Sequence, residues 1–265
     1  MAYVLITGAS SGIGRELAKK FAKRGFDLVL TARNTTKLAE LKAEILMDCK
    51  VDIECFSYDL SLNNAPHELY EKIKEKNIRV SILVNNAGYG DYGKFIKGDI
   101  DKYCNMVDVN IRSLMVLTYL FIKDMKEDHY GHIINVASIA GFMPGPYMAV
   151  YYASKAFVLS FSLALKEELK EDDIKITTLC PGPVDTDFWD RAGTSMSTVK
   201  KLLFARKPSQ VAKTALKAFD NNKGLVIDGA LNKALVYGSR LLSPQYLARI
   251  TGKIQSKLLD SGNKQ

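Results

Sequence analysis

Histidine is scarce in this chain: three residues, His67, His129 and His132, are scattered among 265 and join no cysteine in a ligand pattern. The four cysteines, Cys49, Cys55, Cys104 and Cys180, match neither a metal-ligand spacing nor a CxxC pair. These absences exclude a structural zinc site and a dithiol redox centre. They leave reduced, partly buried thiols of the kind kept in the cytoplasm. No run approaches the roughly 20 apolar residues that span a bilayer. The opening MAYVLITGAS meets glycine too early to hold the apolar region of a signal peptide, so no leader is expected. There is no internal repeat, low-complexity tract or linker-like composition, and a single domain is expected.

Acidic charge is also missing, but only at one end. Between Leu231 and Gln265 stand Lys233, Arg240, Arg249, Lys253, Lys257 and Lys264 against Asp260 alone, so +5 of the net +8 lies in the last 35 residues. The rest is close to neutral, which argues against a nucleic-acid binder.

What is present alternates. Strand-like runs at 4–7, 27–32, 51–60, 81–88, 131–138, 174–184 and 224–228 are separated by stretches of helical period. In the first helical stretch Ile13, Leu17 and Phe21 recur every four residues, and Gly25 ends it; Thr35 or Thr36 is placed to cap the second. This order predicts an α/β fold: a doubly wound sheet of about seven parallel strands with helices on both faces. Ligands in such sheets bind beyond the carboxyl ends of the strands, so the turns at 8–14, 85–90, 138–147 and 181–187 are expected to converge on one crevice. We expect a Rossmann domain over 1–230 and a basic helical extension over 231–265.

The first turn, VLITGASSGIGRELAKKF, is a strand, a glycine loop and a helix. Gly8, Gly12 and Gly14 let backbone approach a pyrophosphate, whose charge faces the helix N-terminus. The second strand ends Ala32-Arg33. An acid there would hold the ribose hydroxyl of NAD; an arginine pairs a 2′-phosphate instead, which favours NADP(H).

One short stretch, YYASK at 151–155, leaves a choice open. Tyr151 and Tyr152 both lie within helical reach of Lys155, and spacing alone does not say which tyrosine is an acid.

Taken together these motifs resemble the short-chain dehydrogenase/reductase family. TGASSGIG at 7–14, NNAG at 85–88, Asn110 in VDVNIRS, Ser138 thirteen residues before Tyr151, YxxxK at 151–155 and PGPVDT at 181–186 carry the resemblance over residues 1 to about 190. It selects Tyr151 and leaves Tyr152 as a packing aromatic. It implies a catalytic set of Asn110, Ser138, Tyr151 and Lys155. Tyr151 would exchange a proton with the carbonyl oxygen, and Lys155 would pull its pKa toward neutrality. Ser138 would bond the oxygen as charge develops there, and Asn110 would hold a water. Ser10, Ser11, Ile13, Asp59, Leu60, Asn86, Ala87, Pro181, Gly182, Val184 and Thr186 would join the glycines, Gly88, Arg33, Tyr151 and Lys155 around the cofactor. Ser11 stands where many NADP-preferring members carry a basic residue. The subgroup most resembled contains ketoacyl- and hydroxysteroid-type reductases.

The family's substrate flap falls at about 187–209, where Phe188, Trp189, Met196, Leu202, Leu203 and Phe204 make an apolar wall. Phe142, Met143 and Tyr147 are expected opposite. An NADPH-dependent reductase of hydrophobic ketones or aldehydes follows, with a non-catalytic NADP(H)-binding regulator as the rival. In the tail, Ser243-Pro244 opens a helix with Leu247, Ile250, Ile254 and Leu258 on one face. It is expected to pack on the body or a second subunit, or to touch a membrane surface through 244–259. A homodimer or homotetramer through helices at about 100–128 and 151–170 is expected.

Overall fold

A computed structural model describes residues 3–194 and 204–262, with side chains through 257. Seven strands form one parallel sheet: β1 Tyr3–Thr7, β2 Asp27–Ala32, β3 Ile53–Ser57, β4 Val80–Asn85, β5 Gly131–Val136, β6 Ile174–Cys180 and β7 Leu225–Ile227. Their spatial order is β3-β2-β1-β4-β5-β6-β7, so the winding reverses between β1 and β4. All seven expected strands are present.

The strands are apolar on both faces because both faces are covered. Val4, Ile6, Leu28, Leu30, Ile82 and Val84 point one way, toward α1 (Gly12–Ala22), α2 (Thr35–Asp48) and α8 (Pro208–Asp220). Leu5, Val29, Leu83 and Ile133 point the other way, toward α3 (Ala65–Glu75), α5 (Ser113–Glu127) and α6 (Ala149–Glu168). Each fully buried Leu, Ile or Phe contributes about 1.5–3 kcal/mol. The cap of α2 is Asn34, one residue before the expected threonines; its side chain accepts from Lys37 N at 2.8 Å.

α4 (Ile100–Val107), a π turn over Asp108–Arg112 and α5 make one continuous helical run. By length and composition Ile100–Glu127 is apolar enough to cross a bilayer, against the reading that no stretch is. Here Leu114, Leu117, Phe121 and Met125 are buried in the domain, so one face of the run packs against the body.

After the sheet, α9 (Ala230–Ser239) and α10 (Pro244–Gly262) fold back over the body. Thr251 Oγ1 donates to Pro144 O at 2.8 Å, Gln255 Nε2 donates to the Tyr152 hydroxyl at 2.9 Å, and the Tyr92 hydroxyl donates to Gln255 O. The expected N-cap forms, with Tyr246 N donating to Ser243 Oγ at 3.3 Å. The expected buried stripe is rotated, however. Thr251 and Gln255 join Leu247 against the body, whereas Ile254 is 44% exposed. Polar partners on Pro144 and Tyr152 decide the rotation.

Candidate active site

One cavity of about 1520 Å³ lies along the carboxyl ends of the strands, and all four expected turns line it. A single small ligand fills roughly 300–1,000 Å³, so this volume suits two ligands side by side.

At one end the glycine loop is held by the next turn. Thr7 Oγ1 accepts from Asn86 N at 3.0 Å and Ala87 N at 2.9 Å, and Asn86 Nδ2 donates to Thr7 O at 2.9 Å. Gly8 has φ +64, and a Cβ on it would lie 2.9 Å from Ala87 Cα. Only glycine meets both demands. Ser10, Ser11, Gly12 and Ile13 line the cavity at the start of α1, and the Ser11 side chain makes no capping bond there. Gly14 stands behind them: a Cβ on it would collide with Gly8 O at 2.5 Å, so its role is close packing of helix on loop.

The far wall of this end is basic. Arg33 has its side chain 65% exposed and reaches Asp59 only at 3.7 Å, so its guanidinium is available to a ligand. Lys37, which sequence reasoning passed over, lines the same wall and lies 3.6 Å from Asp187 at the start of the flap. Its position one turn into α2 after Arg33 was the signal. Burial works against the Asp59 carboxylate, but the Ser61 N–H and hydroxyl, with Arg33 beside them, hold its pKa below the ordinary value. Asp59, Leu60, Ala87 and Gly88 line the cavity beside it.

Toward the middle stand Ser138, Tyr151 and Lys155. Lys155 Nζ is buried and donates to Val136 O at 2.8 Å. Ser138 Oγ accepts from Ala140 N at 3.1 Å and donates to Pro181 O at 3.4 Å, with the Tyr151 hydroxyl beside it. Burial pushes Tyr151 above its ordinary pKa, with the Ser138 bond opposing, and pushes Lys155 down to about 8. The expected pull of Lys155 on Tyr151 is therefore not the dominant effect. The ammonium sits 5.8 Å from the Tyr151 ring centroid, directed to a backbone carbonyl, and both groups share a dry wall. Beneath them the Cys180 thiol is pushed up to about 12 by burial.

Asn110 sits in the π turn, a device common at functional sites. It does not line the cavity. Its Oδ1 accepts from Tyr89 N at 3.1 Å, and its Nδ2 donates to Tyr89 O at 2.9 Å and to Ser154 Oγ at 3.0 Å. Ser154 Oγ donates in turn to Tyr151 O at 2.7 Å. Asn110 thus braces the helix that carries Tyr151 and Lys155 through Ser154, a link that sequence reasoning missed.

Pro181, Gly182, Val184 and Thr186 form the next stretch of wall. A Cβ on Gly182 would meet Asn232 of α9 at 2.4 Å, so this glycine admits the extension. The flap is tied at its base: Arg206 N donates to Pro183 O at 2.9 Å, Asp185 N donates to Arg206 O at 2.8 Å, and Arg206 pairs with the buried Asp228 at 2.8 Å.

At the other end Phe188, Trp189, Met143, Met148, Tyr152 and Phe204 line the cavity. Phe188 belongs to a short helix, α7 (Phe188–Arg191), with its ring centroid 5.2 Å from that of Tyr151. Met196, Leu202 and Leu203 lie outside the described residues. Phe142 and Tyr147 do not line the cavity. A 3₁₀ turn over Ile139–Phe142 sends Met143 inward and sets Phe142 under the Arg240 guanidinium, 6.0 Å away. Tyr147 has φ +68 and packs with Trp189, Tyr92 and Ala192. Their places are taken by the extension: Leu231, Ala234, Leu235, Gly238 and Leu242 around α9, and Leu247, Ile250 and Ile254 of α10.

Residues 2–196 match the family model described as short chain dehydrogenase. The chain belongs to that family. An uncharacterized oxidoreductase of Staphylococcus saprophyticus is 36% identical over 81% of this chain and 89% of its own length. A short-chain dehydrogenase from Sphingobium yanoikuyae, solved in complex with NADPH, is 32% identical and superposes with a TM-score of 0.82, covering 91% of this chain and 94% of the other. The bulky-bulky ketone specific alcohol dehydrogenase of Comamonas testosteroni is 28% identical, with a TM-score of 0.77 over 91% of this chain and 92% of that one.

Proposed function

We propose that this oxidoreductase uses NADPH to reduce a bulky hydrophobic ketone or aldehyde to its alcohol, with Tyr151 as the proton donor. The observation that carries the reading is the arrangement of Ser138, Tyr151 and Lys155 at the midpoint of the cavity, between a polar glycine-loop end and an apolar end.

The residues present fit the cofactor. The Gly8–Gly12 backbone and Ser11 would hold the pyrophosphate at the start of α1. Arg33 and Lys37 would pair the 2′-phosphate, which NAD lacks. The NADPH complex of the Sphingobium relative supports this choice. When bound, the cofactor supplies the hydride. The chain's own residues handle the oxygen. Ser138 is placed to bond the carbonyl oxygen, and Tyr151, whose burial keeps its proton on, gives that proton as negative charge grows. Lys155, as a cation, steadies the tyrosinate left behind. Asn110 and Ser154 fix the turn of α6 that carries Tyr151.

The apolar end fits the substrate class. Its walls are aromatic, leucine, isoleucine and methionine side chains. The likeness to a bulky-ketone dehydrogenase supports the same class. Association into a dimer or tetramer through α5 and α6 is part of this reading; Met115, Tyr119 and Leu163 stand exposed there.

The test is NADPH consumption with a panel of bulky ketones by wild type and Tyr151→Phe. Loss of the hydroxyl is expected to lower turnover about 10²–10⁴-fold, while NADPH binding, read by fluorescence, is retained. Undiminished turnover in Tyr151→Phe would move the acid elsewhere. Clear NADPH binding with no turnover on any carbonyl would favour a cofactor-sensing role.

A further inference from the structure

The apolar end of the cavity does not finish inside the protein. Leu231, Leu235, Leu242, Ile254 and Phe204 line it and are also exposed at the surface, so the mouth is rimmed by large aliphatic and aromatic groups. The rim continues outward. Leu241 is 88% exposed, with Tyr237 and Tyr246 beside it in sequence and half or more exposed. Soluble surfaces seldom expose so much apolar area in one stretch. Single exposed leucines need no explanation; a run of them around a cavity mouth does.

The charge along the extension before Asp260 is of one sign. Between Asp228 and Asp260 the chain carries no acidic residue, and Lys233, Arg240, Arg249 and Lys253 all stand exposed there. On α9 the two properties are sorted around the helix. Asn232, Val236 and Ser239 are buried against the body, Leu231 and Leu235 share one exposed side, and Lys233, Tyr237 and Arg240 share the other. The turn between α9 and α10 presents Leu241 and Leu242 at its tip. Protruding aliphatic side chains with basic neighbours match an anionic lipid surface, where apolar groups enter the interface and cations pair with headgroups. The expected stripe of α10 is not the contact: Leu247 and Ile250 face the cavity.

We infer that the face made by α9, the Leu241–Leu242 turn and the start of α10 docks on an anionic bilayer, with the cavity mouth opening onto it. The docking stands apart from the catalytic reading. The consequence that a lipophilic carbonyl compound enters from the bilayer rests on that reading.

The experiment is co-sedimentation of the full chain with vesicles of mixed phosphatidylglycerol and phosphatidylcholine, against vesicles of phosphatidylcholine alone. The variants are Leu241→Asp and Tyr246→Asp, neither of which lines the cavity. Wild type is expected to bind the anionic vesicles at least fivefold better than the neutral ones. Each variant is expected to lose binding at least fivefold, with unchanged melting temperature and unchanged NADPH affinity. Absence of sedimentation with anionic vesicles would overturn the proposal. So would variants that sediment as wild type does. An oligomer that Leu241→Asp dissociates, seen without vesicle binding, would reassign the face to self-association. Because binding is read without turnover, failure of the carbonyl assay leaves this result interpretable.

Discussion

The two ends of the cavity are built on opposite plans. At the cofactor end most of the wall is strand-end turns, and polar bonds tie the segments together: Asn86 Nδ2 to Thr7 O, Ala87 N to Thr7 Oγ1, Arg112 to Ser61 O at 2.9 Å. At the apolar end the walls come from the flap and from α9 and α10. Polar bonds there anchor the edges, at Thr251, Gln255 and Arg206, and leave the interior to apolar contact. The first plan fixes atoms to a fraction of an ångström, because hydrogen bonds are directional. The second fixes a volume, because apolar contact is not directional. A shared chemistry with a variable substrate calls for both.

Three predictions probe this division, from the largest effect to the smallest. Removing both cations at the cofactor end, Arg33→Ala with Lys37→Ala, is expected to raise the KM for NADPH at least about 100-fold, since charged hydrogen bonds contribute about 1.5–3 kcal/mol each. The KM for NADH should move little. Equal losses with both cofactors would mean that the pair shapes the wall and does not read the phosphate.

The second concerns the border between the ends. Lys155 titrates near 8, lowered by burial, so its cation is present below that pH and lost above it. Carbonyl reduction is expected to be level below pH 8 and to fall about tenfold per unit above it. Alcohol oxidation, which needs Tyr151 without its proton, should rise with pH. A reduction profile still level at pH 10 would remove the Lys155 charge from the mechanism.

The smallest effect belongs to the apolar end. Ile250→Ala is expected to raise the KM for a bulky ketone roughly tenfold, from three carbons at about 0.8 kcal/mol each, discounted by about half because Ile250 is half-buried. Both kcat and the KM for NADPH should hold. A fall in kcat of similar size would show that α10 also positions the carbonyl.

The same division explains what was legible in the sequence. The cofactor end was legible because each turn is a short contiguous motif with a required residue at a required place. The fold was legible because strands buried on both faces read as continuous apolar runs. The apolar end depends on contacts between distant segments. Nothing local tells Met143 from Phe142; the 3₁₀ turn after Ser138 sends one inward and the other under Arg240. Nothing in the period of α10 tells that Thr251 and Gln255 are the buried positions, because Pro144 and Tyr152 supply their partners from a hundred residues away. Lys37 was passed over because a lysine in the first turn of an exposed helix looks like solvated surface.

The tie at the base of the flap has a consequence for how such a protein diversifies. Pro183, Asp185 and Arg206 close the stretch between them as a loop whose ends are already together, and Asp228 locks the clasp from below. Once ends are joined, doubling a loop's length costs only about 0.6 kcal/mol of closure entropy. The segment between the clasps is therefore an exchangeable cassette. Its length can drift at small cost, and grafting a relative's segment between the same two anchor points, with Phe188 kept against Tyr151, is a direct route to a new substrate.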